Sequence, residues 1–433
     1  MAFVFSSYST YSVANNGDII LLNSFAGSAA KIDKKQAPEI MKLIQGGMRD
    51  RENKTCDVLI KHGFFIDESI DERKLVKKIL DFERTNAGAN LTIMPHENCN
   101  FRCTYCYEDF ARNKMTNEVV SEIKNYVKNN IAQWPYFSTS WFGGEPLLAL
   151  DVVDELSREF ISQSERQAIE YSSGITTNGF FLTKTVGKKL LDLEIDSFQI
   201  TLDGPSKIHN QQRPLISGRE TYDKVYRNIL ELAGIDSEFS VVIRVNFTKQ
   251  STQDVDLWLK RLSKDFTGDK RFSVSFHPIW SVCQSSNNSS ELYSIEDSEQ
   301  SVYELMKRTK ELGFSLKHHT NALAPHGNVC YASMPNEFVI GSDGSVYKCT
   351  VALNDRRNKL GNIINGQFEL DNELKNQWEE VEELQQCQTC WYQASCQSRC
   401  CPLATINNNG FPPCPANKDG IIEIYNTEIS SND

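Results

Sequence analysis

Three cysteines near residue 100 carry the clearest chemistry in this chain. Cys99, Cys103 and Cys106 stand in the run Cys99-Asn100-Phe101-Arg102-Cys103-Thr104-Tyr105-Cys106, a C-x3-C-x2-C spacing. Thiolates favour zinc or iron–sulfur clusters. Three thiolates this close can hold three irons of a [4Fe–4S] cube, leaving the fourth iron open to a small chelating molecule. A zinc site is the competing reading. It wants a fourth Cys or His nearby, and His96 precedes Cys99. Of the 13 cysteines, eight more fall between 330 and 414, while Cys56 and Cys283 stand alone. Two separate metal regions follow from that distribution. Cys56 reads as a buried structural thiol, since free Cys behaves as a small hydrophobe.

The rest of the composition narrows the setting. The 433 residues suffice for two or three domains, and 40% are hydrophobic, enough for a sizeable core. A formal net charge of -11 argues against nucleic-acid binding through general charge. No apolar run approaches the roughly 18 residues that span a membrane. Residues 1–10 lack the basic and long apolar regions of a signal peptide. The expectation is a cytoplasmic protein, free of membrane, whose cysteines are metal ligands rather than disulfides.

The elements that must position the cysteines come in three blocks. Residues 1–85 read as a small α+β unit. Residues 3–5 and 19–22 are strand-like, with turn residues at 15–18. Ile40, Leu43 and Ile44 recur at helical spacing, and the segments 58–60 and 64–66 flank Gly63. The order strand, helix, helix, hairpin suggests a winged-helix-like module, with 71–84 as a helical connector. Residues 86–325 alternate strands (91–94, 139–142, 171–176, 197–202, 241–247, 272–276) with amphipathic helices. Such alternation argues for an α/β fold with a parallel sheet, here a partial (βα)6 barrel rather than the eight units of a closed one. Sites in such folds lie at the carboxyl ends of strands, and the cysteine triplet follows the first strand. Residues 326–424 are short elements rich in cysteine, and 425–433 read as a polar tail.

Three further strand ends are informative. Trp141-Phe142-Gly143-Gly144-Glu145-Pro146 closes the second strand and Thr176-Thr177-Asn178-Gly179 the third. Thr201-Leu202-Asp203-Gly204-Pro205 closes the fourth, followed by His209 and Arg213. Glycines let backbone approach a ligand, and an arginine fork suits a carboxylate. Asp203-Gly204 reads as a tight turn rather than a catalytic pair. His209 reads equally as a turn cap or a ligand-loop residue.

On these residues the chain resembles the radical S-adenosylmethionine (SAM) enzymes, whose open iron binds SAM and whose reduced cluster cleaves it to a 5′-deoxyadenosyl radical. The resemblance implies a [4Fe–4S] cluster on Cys99, Cys103 and Cys106. It implies SAM contacts from Tyr105, Gly143, Gly144, Glu145, Pro146, Asn178, Thr201 and Arg213. In the family the Gly-Gly-Glu-Pro segment meets the SAM amino group. A hydroxyl and an arginine at the positions of Thr201 and Arg213 lie near its carboxylate and ribose. No residue is assigned as a catalytic acid or base.

The later cysteines resemble a SPASM domain with two auxiliary [4Fe–4S] clusters, three clusters in all; a pair of zinc ribbons is the alternative. The resemblance implies Cys387, Cys390, Cys396 and Cys414 on the outer cluster and Cys330, Cys349 and Cys400 on the inner. Sulfatase-maturing relatives have one more cysteine in the interval between Cys330 and Cys349, which is absent here. The inner cluster is therefore read as open or exchangeable, with Cys401 or Cys283 as residues that would close it.

The whole resemblance implies a maturase of ribosomally synthesised precursor peptides. Residues 1–85 would bind the peptide leader by strand addition, and the core would receive a crosslink, a thioether. Flavodoxin or ferredoxin is the expected electron donor. The alternatives are a carbon–carbon or carbon–oxygen crosslinking cyclase, an anaerobic sulfatase (formylglycine) maturase, a non-catalytic metal-binding adaptor and a simple electron carrier.

Overall fold

A computed structural model describes the chain apart from residues 1, 49–53, 250, 280–294, 317–320, 381–382, 400, 408–417 and 431–433. The chain divides into two units. The first is Met1–Asn86, Leu316–Pro335 and Gln377–Asp433; the second is Ala87–Ser315 and Asn336–Asn376.

The first unit begins with β1 (Phe3–Phe5), β2 (Ser9–Val13), β3 (Ile19–Asn23) and β4 (Ser28–Ile32), followed by α1 (Ala37–Gly46), α2 (Lys54–Lys61), β5 (Phe65–Asp67) and α3 (Glu72–Thr85). β2, β3 and β4 form an antiparallel meander, and β1 pairs antiparallel with β5. β3 is buried along its whole length, so its Ile-Ile-Leu-Leu run serves two faces. α3 opens on Asp71, whose carboxylate accepts from Lys74 N at 3.1 Å, a side-chain cap of an orphan N–H.

The expected order is only partly realised, because a hairpin stands before the helices and a single strand after them. Residues 58–60 lie inside α2, where Cys56 and Leu59 are buried at helical spacing.

Ile20 and Leu22 share a core with Leu323, Tyr392, Cys396, Ile421 and Tyr425. Tyr8, Val76 and Leu80 pack with Ala394. The first 86 residues and the cysteine-rich end are thus packed as one body. The polar tail expected from Tyr425 is instead the continuation of a helix over Lys418–Ser430, anchored by Ile421 and Tyr425. The polar residues beyond Tyr425 had masked that apolar stripe.

The second unit is organised by a ten-stranded sheet. Its parallel part is β6 (Ala89–His96), β7 (Tyr136–Gly143), β8 (Glu170–Thr177), β9 (Ile195–Thr201), β10 (Ser240–Phe247) and β11 (Phe272–Pro278), paired in sequence order. Between them run α4 (Asn117–Asn130), α5 (Leu150–Gln167), α6 (Lys184–Leu191), α7 (Ser206–Gln212), α8 (Tyr222–Ala233) and α9 (Thr252–Phe266), and α10 (Ile295–Glu311) follows β11. On the other side of β6 lies β12 (Glu337–Ile340), parallel to it. The antiparallel strands β13 (Ser345–Tyr347), β14 (Lys359–Ile364) and β15 (Gln367–Leu370) follow. β11 and β15 are the sheet's edges, so the sheet is open, as six parallel units predict.

Ile93, Trp141, Phe198, Ile200, Val241 and Ile243 fill the core beside the sheet. Its polar members are paired: Trp141 Nε1 donates to Ser173 Oγ (3.1 Å), which also bonds Thr139 Oγ1 (2.8 Å). Phe137 is fully buried and its ring meets those of Trp134, Phe160 and Tyr171 at 5.3–5.5 Å. Phe137→Ala should therefore cost about 3–5 kcal/mol, read as a lower denaturant midpoint. An unchanged midpoint would contradict this core.

Candidate active site

The cysteine triplet leaves the carboxyl end of β6 as an irregular loop, and its backbone is satisfied by a second segment. Arg102 N donates to Pro214 O (2.9 Å), Thr104 N to Gln212 O (2.8 Å) and Ile216 N to Asn100 O (2.9 Å). The loop therefore runs as a short antiparallel ladder along the stretch that follows α7. Arg102 folds back on the loop, donating to the carbonyls of Cys99 (2.6 Å) and Phe101 (2.7 Å).

Glu145 ties the second and third strand ends together. It is fully buried, and its oxygens accept from Leu147 N (3.0 Å), Thr177 Oγ1 (2.8 Å) and Asn178 N (2.8 Å). Burial raises its carboxyl to about 6, against the pull of those donors. The carboxylate offered by sequence to a ligand ammonium is thus committed to the fold, and what this segment exposes is backbone. Gly143 has φ 112°, and a Cβ there would lie 2.6 Å from His96 O. A Cβ on Gly144 would lie 2.5 Å from Asn98 O and 2.6 Å from Glu97 O. Pro146 is buried at the start of the following turn.

Asn178 joins this brace to the cysteine loop. Its Nδ2 donates to Asn100 Oδ1 at 2.8 Å and lies 3.6 Å from Cys99 Sγ. Cys99 Sγ also accepts from Phe101 N at 3.3 Å. Burial pushes the Cys99 thiol up to about 12 and raises Cys103, where Arg213 opposes the rise. Binding metal would displace those protons.

Thr201 and Arg213 are buried at the end of β9 and just after α7. Arg213 Nη1 donates to Tyr105 Oη at 2.6 Å, and the Arg213 Nε is buried without a partner. Asp203 N donates to His209 Nδ1 (3.2 Å), and Gly204 follows with φ 87°. His209 is therefore a cap on this turn.

Sequence reasoning missed two groups. Asn246, near the end of β10, bonds both Tyr105 and Asp203; the signal was an amide set between Val245 and Phe247 at the carboxyl end of the strand-like run 241–247. Glu97, buried just before the triplet, accepts from Arg112 Nε (2.6 Å) and from Ser342 N and Oγ (2.7 and 2.8 Å). Nothing local in the sequence marks that partner, 245 residues away.

Elsewhere, Cys349 lies in the second unit, where Asn358 Oδ1 accepts from its N (2.8 Å) and Asn358 Nδ2 donates to its carbonyl (2.8 Å). Cys330, Cys387, Cys390, Cys396 and Cys401 lie in the first unit. There Arg73 Nη1 donates to Cys390 O (3.0 Å), and a hydrogen bond with Cys330 pulls the Cys401 thiol down. Cys283, Cys400 and Cys414 are outside the described residues.

The donor set fits an iron–sulfur cube with a small-molecule partner better than one metal ion. His96, the candidate zinc ligand, turns Nδ1 to Asn98 N (3.2 Å). Beside the three thiols lie a glycine pair admitting close backbone approach and the unpaired buried Asn100 Nδ2, Gln212 Oε1 and Arg213 Nε. Gly144→Ala should cost about 1–3 kcal/mol by overpacking and reduce the iron the triplet retains. Unchanged melting and iron content would contradict the close packing.

Comparison with known proteins agrees with this geometry. The Radical SAM superfamily model matches residues 93–262, which span β6 to α9. The cysteine-type anaerobic sulfatase-maturating enzyme of Clostridium novyi is 26% identical over 70% of this chain and 85% of its own. Fe-coproporphyrin III synthase of Methanosarcina barkeri is 22% identical, and the alignment spans only 56% of each protein. Among solved structures, anSMEcpe with bound AdoMet and a Cp18Cys peptide superposes with a TM-score of 0.59 at 20% identity, covering 79% of this chain and 97% of that one. Streptococcus suis SuiB bound to precursor peptide SuiA gives a TM-score of 0.51 at 17% identity, covering 94% and 97%. Among the described residues no helix is long and apolar enough to cross a membrane. The cysteine loop and the strand ends that brace it all lie within the matched stretch, so residues 93–262 carry a radical SAM domain.

Proposed function

We propose that this enzyme crosslinks a ribosomally synthesised precursor peptide, joining a cysteine sulfur to a carbon as a thioether. The observation that carries the precursor-peptide reading is the extent of the structural likeness, while the thioether rests on the absence of a cysteine between Cys330 and Cys349, which leaves the inner cluster open to a substrate thiolate. The peptide-bound SuiB fold covers 94% of this chain and the peptide-bound anSMEcpe fold 79%. A precursor-peptide enzyme thus accounts for more of the chain than a sulfatase maturase does.

In this reading residues 1–85 bind the leader, which adds a strand to a sheet edge through main-chain hydrogen bonds. β2 is an edge of its sheet and exposes Tyr11 and Val13. Residues 86–325 form the partial barrel and 326–424 a SPASM domain. Cys387, Cys390, Cys396 and Cys414 would hold an outer auxiliary cluster, and Cys330, Cys349 and Cys400 an inner one. Flavodoxin or ferredoxin would be the electron donor in the cytoplasm.

Cys99, Cys103 and Cys106 would hold the SAM-binding cluster. When bound and reduced, that cluster with SAM supplies a 5′-deoxyadenosyl radical able to abstract hydrogen from unactivated carbon. The chain's own residues bind and exclude water. The Gly143–Gly144 backbone would receive the SAM amino group while Glu145 keeps it in place. Thr201 and the free Nε of Arg213 would meet the carboxylate and ribose, and the backbone beside Tyr105 the adenine. Asn178 would hold the Cys99 side of the loop.

The sulfatase-maturase reading keeps support from the Clostridium novyi relative, 26% identical over 85% of its length. Product mass separates the two. Joining sulfur to carbon removes one hydrogen from each, so the peptide should become lighter by two hydrogens and lose one free thiol. Oxidation of cysteine to formylglycine would instead remove the sulfur. A core Cys→Ser peptide should lose the crosslink. If the two-hydrogen loss persists in that peptide, the bond is carbon–carbon or carbon–oxygen.

A further inference from the structure

The loop that carries the three cysteines also carries a buried hydroxyl with three partners. Tyr105 Oη donates to Asp203 Oδ2 and accepts from Arg213 Nη1 (2.6 Å) and Asn246 Nδ2 (3.1 Å). Asp203 Oδ1 accepts from Asn246 N (2.9 Å) and Nδ2 (3.2 Å). Asp203 is 0% exposed, Arg213 6% and Asn246 8%. The guanidinium of Arg213 also lies over the Phe101 ring, 5.6 Å from its centroid. The cation is therefore held by two aromatic residues of the cysteine loop, Phe101 and Tyr105, which flank Cys103 in sequence.

Two features make this more than a packing contact. A phenol stands between a buried carboxylate and a buried guanidinium. Its hydroxyl uses one Asp203 oxygen and one Arg213 nitrogen. Without it the two charges are free to close on one another, since opposite charges in a poorly solvated site attract strongly. The four groups also come from four places: the cysteine loop, the turn after β9, the stretch after α7 and β10. A hydroxyl with three partners fixes the loop in all three dimensions, which the backbone ladder along residues 212–216 does not do alone.

We infer that Tyr105, Asp203 and Asn246 are positioning residues that lock the cysteine loop onto the sheet and hold the Arg213 cation against the Cys103 side of its cluster, raising that cluster's reduction potential. Iron–sulfur potentials follow net charge and hydrogen bonding around the sulfurs, and outer-shell partners orient metal ligands. A cation kept beside the cluster favours the added electron. The inference rests on the cluster at Cys99, Cys103 and Cys106 and is independent of what the substrate is.

Two substitutions should move the potential in opposite directions. In Tyr105→Phe the guanidinium closes on Asp203, its charge is offset, and the potential falls. In Asp203→Asn the opposing negative charge is lost and the potential rises. The experiment is a redox titration of the reconstituted full-length enzyme, followed by the electron paramagnetic resonance signal that changes when SAM is added. Each shift should be at least tenfold in the reduced-to-oxidised ratio at fixed applied potential, about 59 mV for one electron, with iron content unchanged. A purely structural role would move both variants the same way or change only their iron content, and either result would overturn the inference. Should Tyr105→Phe fail to hold iron, Asp203→Asn decides alone: a rise supports the lock and no shift refutes it. No SAM-responsive signal from the unaltered protein would remove the cluster reading itself. That signal with two unshifted variants would sink only the lock.

Discussion

A loop with three sulfurs and no regular structure of its own has to borrow its rigidity, and the second unit is arranged to lend it. Two of the loop's backbone donors, Arg102 N and Thr104 N, and the Asn100 carbonyl are satisfied along residues 212–216. An open sheet can do this because its carboxyl-end loops converge: β6 supplies the cysteines, β7 the glycine pair, β8 Asn178, β9 the Asp203 turn and β10 Asn246. Displacing any of these ends would leave buried polar groups unpaired, at about 1–3 kcal/mol each.

The same economy appears in the carboxylates. Glu97, Glu145 and Asp203 are all buried beside the cysteine loop, and each joins segments distant in sequence. Burial works against the charged form, as the raised Glu145 and Asp203 carboxyls show. Hydrogen bonds from backbone amides, a hydroxyl and an arginine offset that cost. These acids therefore support the groups that would touch the cofactor. The arginine fork of Arg213 has the same divided role, with Nη1 spent on Tyr105 and Nε unpaired.

Much of this was legible in the sequence, for reasons that can be named. Six apolar runs separated by amphipathic stretches announce a parallel sheet, and all six are strands paired in sequence order from β6 to β11. Cys99 to Cys106, Gly143-Gly144 and Asn178 stand at strand ends, where alternation of strand and helix puts sites. What remained hidden depends on pairing across long sequence distance. Asn246 is an ordinary strand residue until Tyr105 and Asp203 are folded onto it. Glu97 looks like any loop carboxylate until Ser342 and Arg112 reach it. In the amino-terminal segment the helices fall where the order strand, helix, helix, hairpin puts them, but the hairpin of β2 and β3 precedes them and β5 after them pairs alone with β1. Tyr425 reads as tail in the sequence because its apolar partners, Ile20 and Leu22, lie some four hundred residues earlier.

The most direct measurement is 5′-deoxyadenosine formed by anaerobically reconstituted protein given SAM and dithionite, in parallel with a variant carrying Cys99→Ala, Cys103→Ala and Cys106→Ala. The account predicts deoxyadenosine from the unaltered chain and none from the variant. Deoxyadenosine at equal rates from both, or none from the unaltered chain with zinc in place of iron, would contradict it.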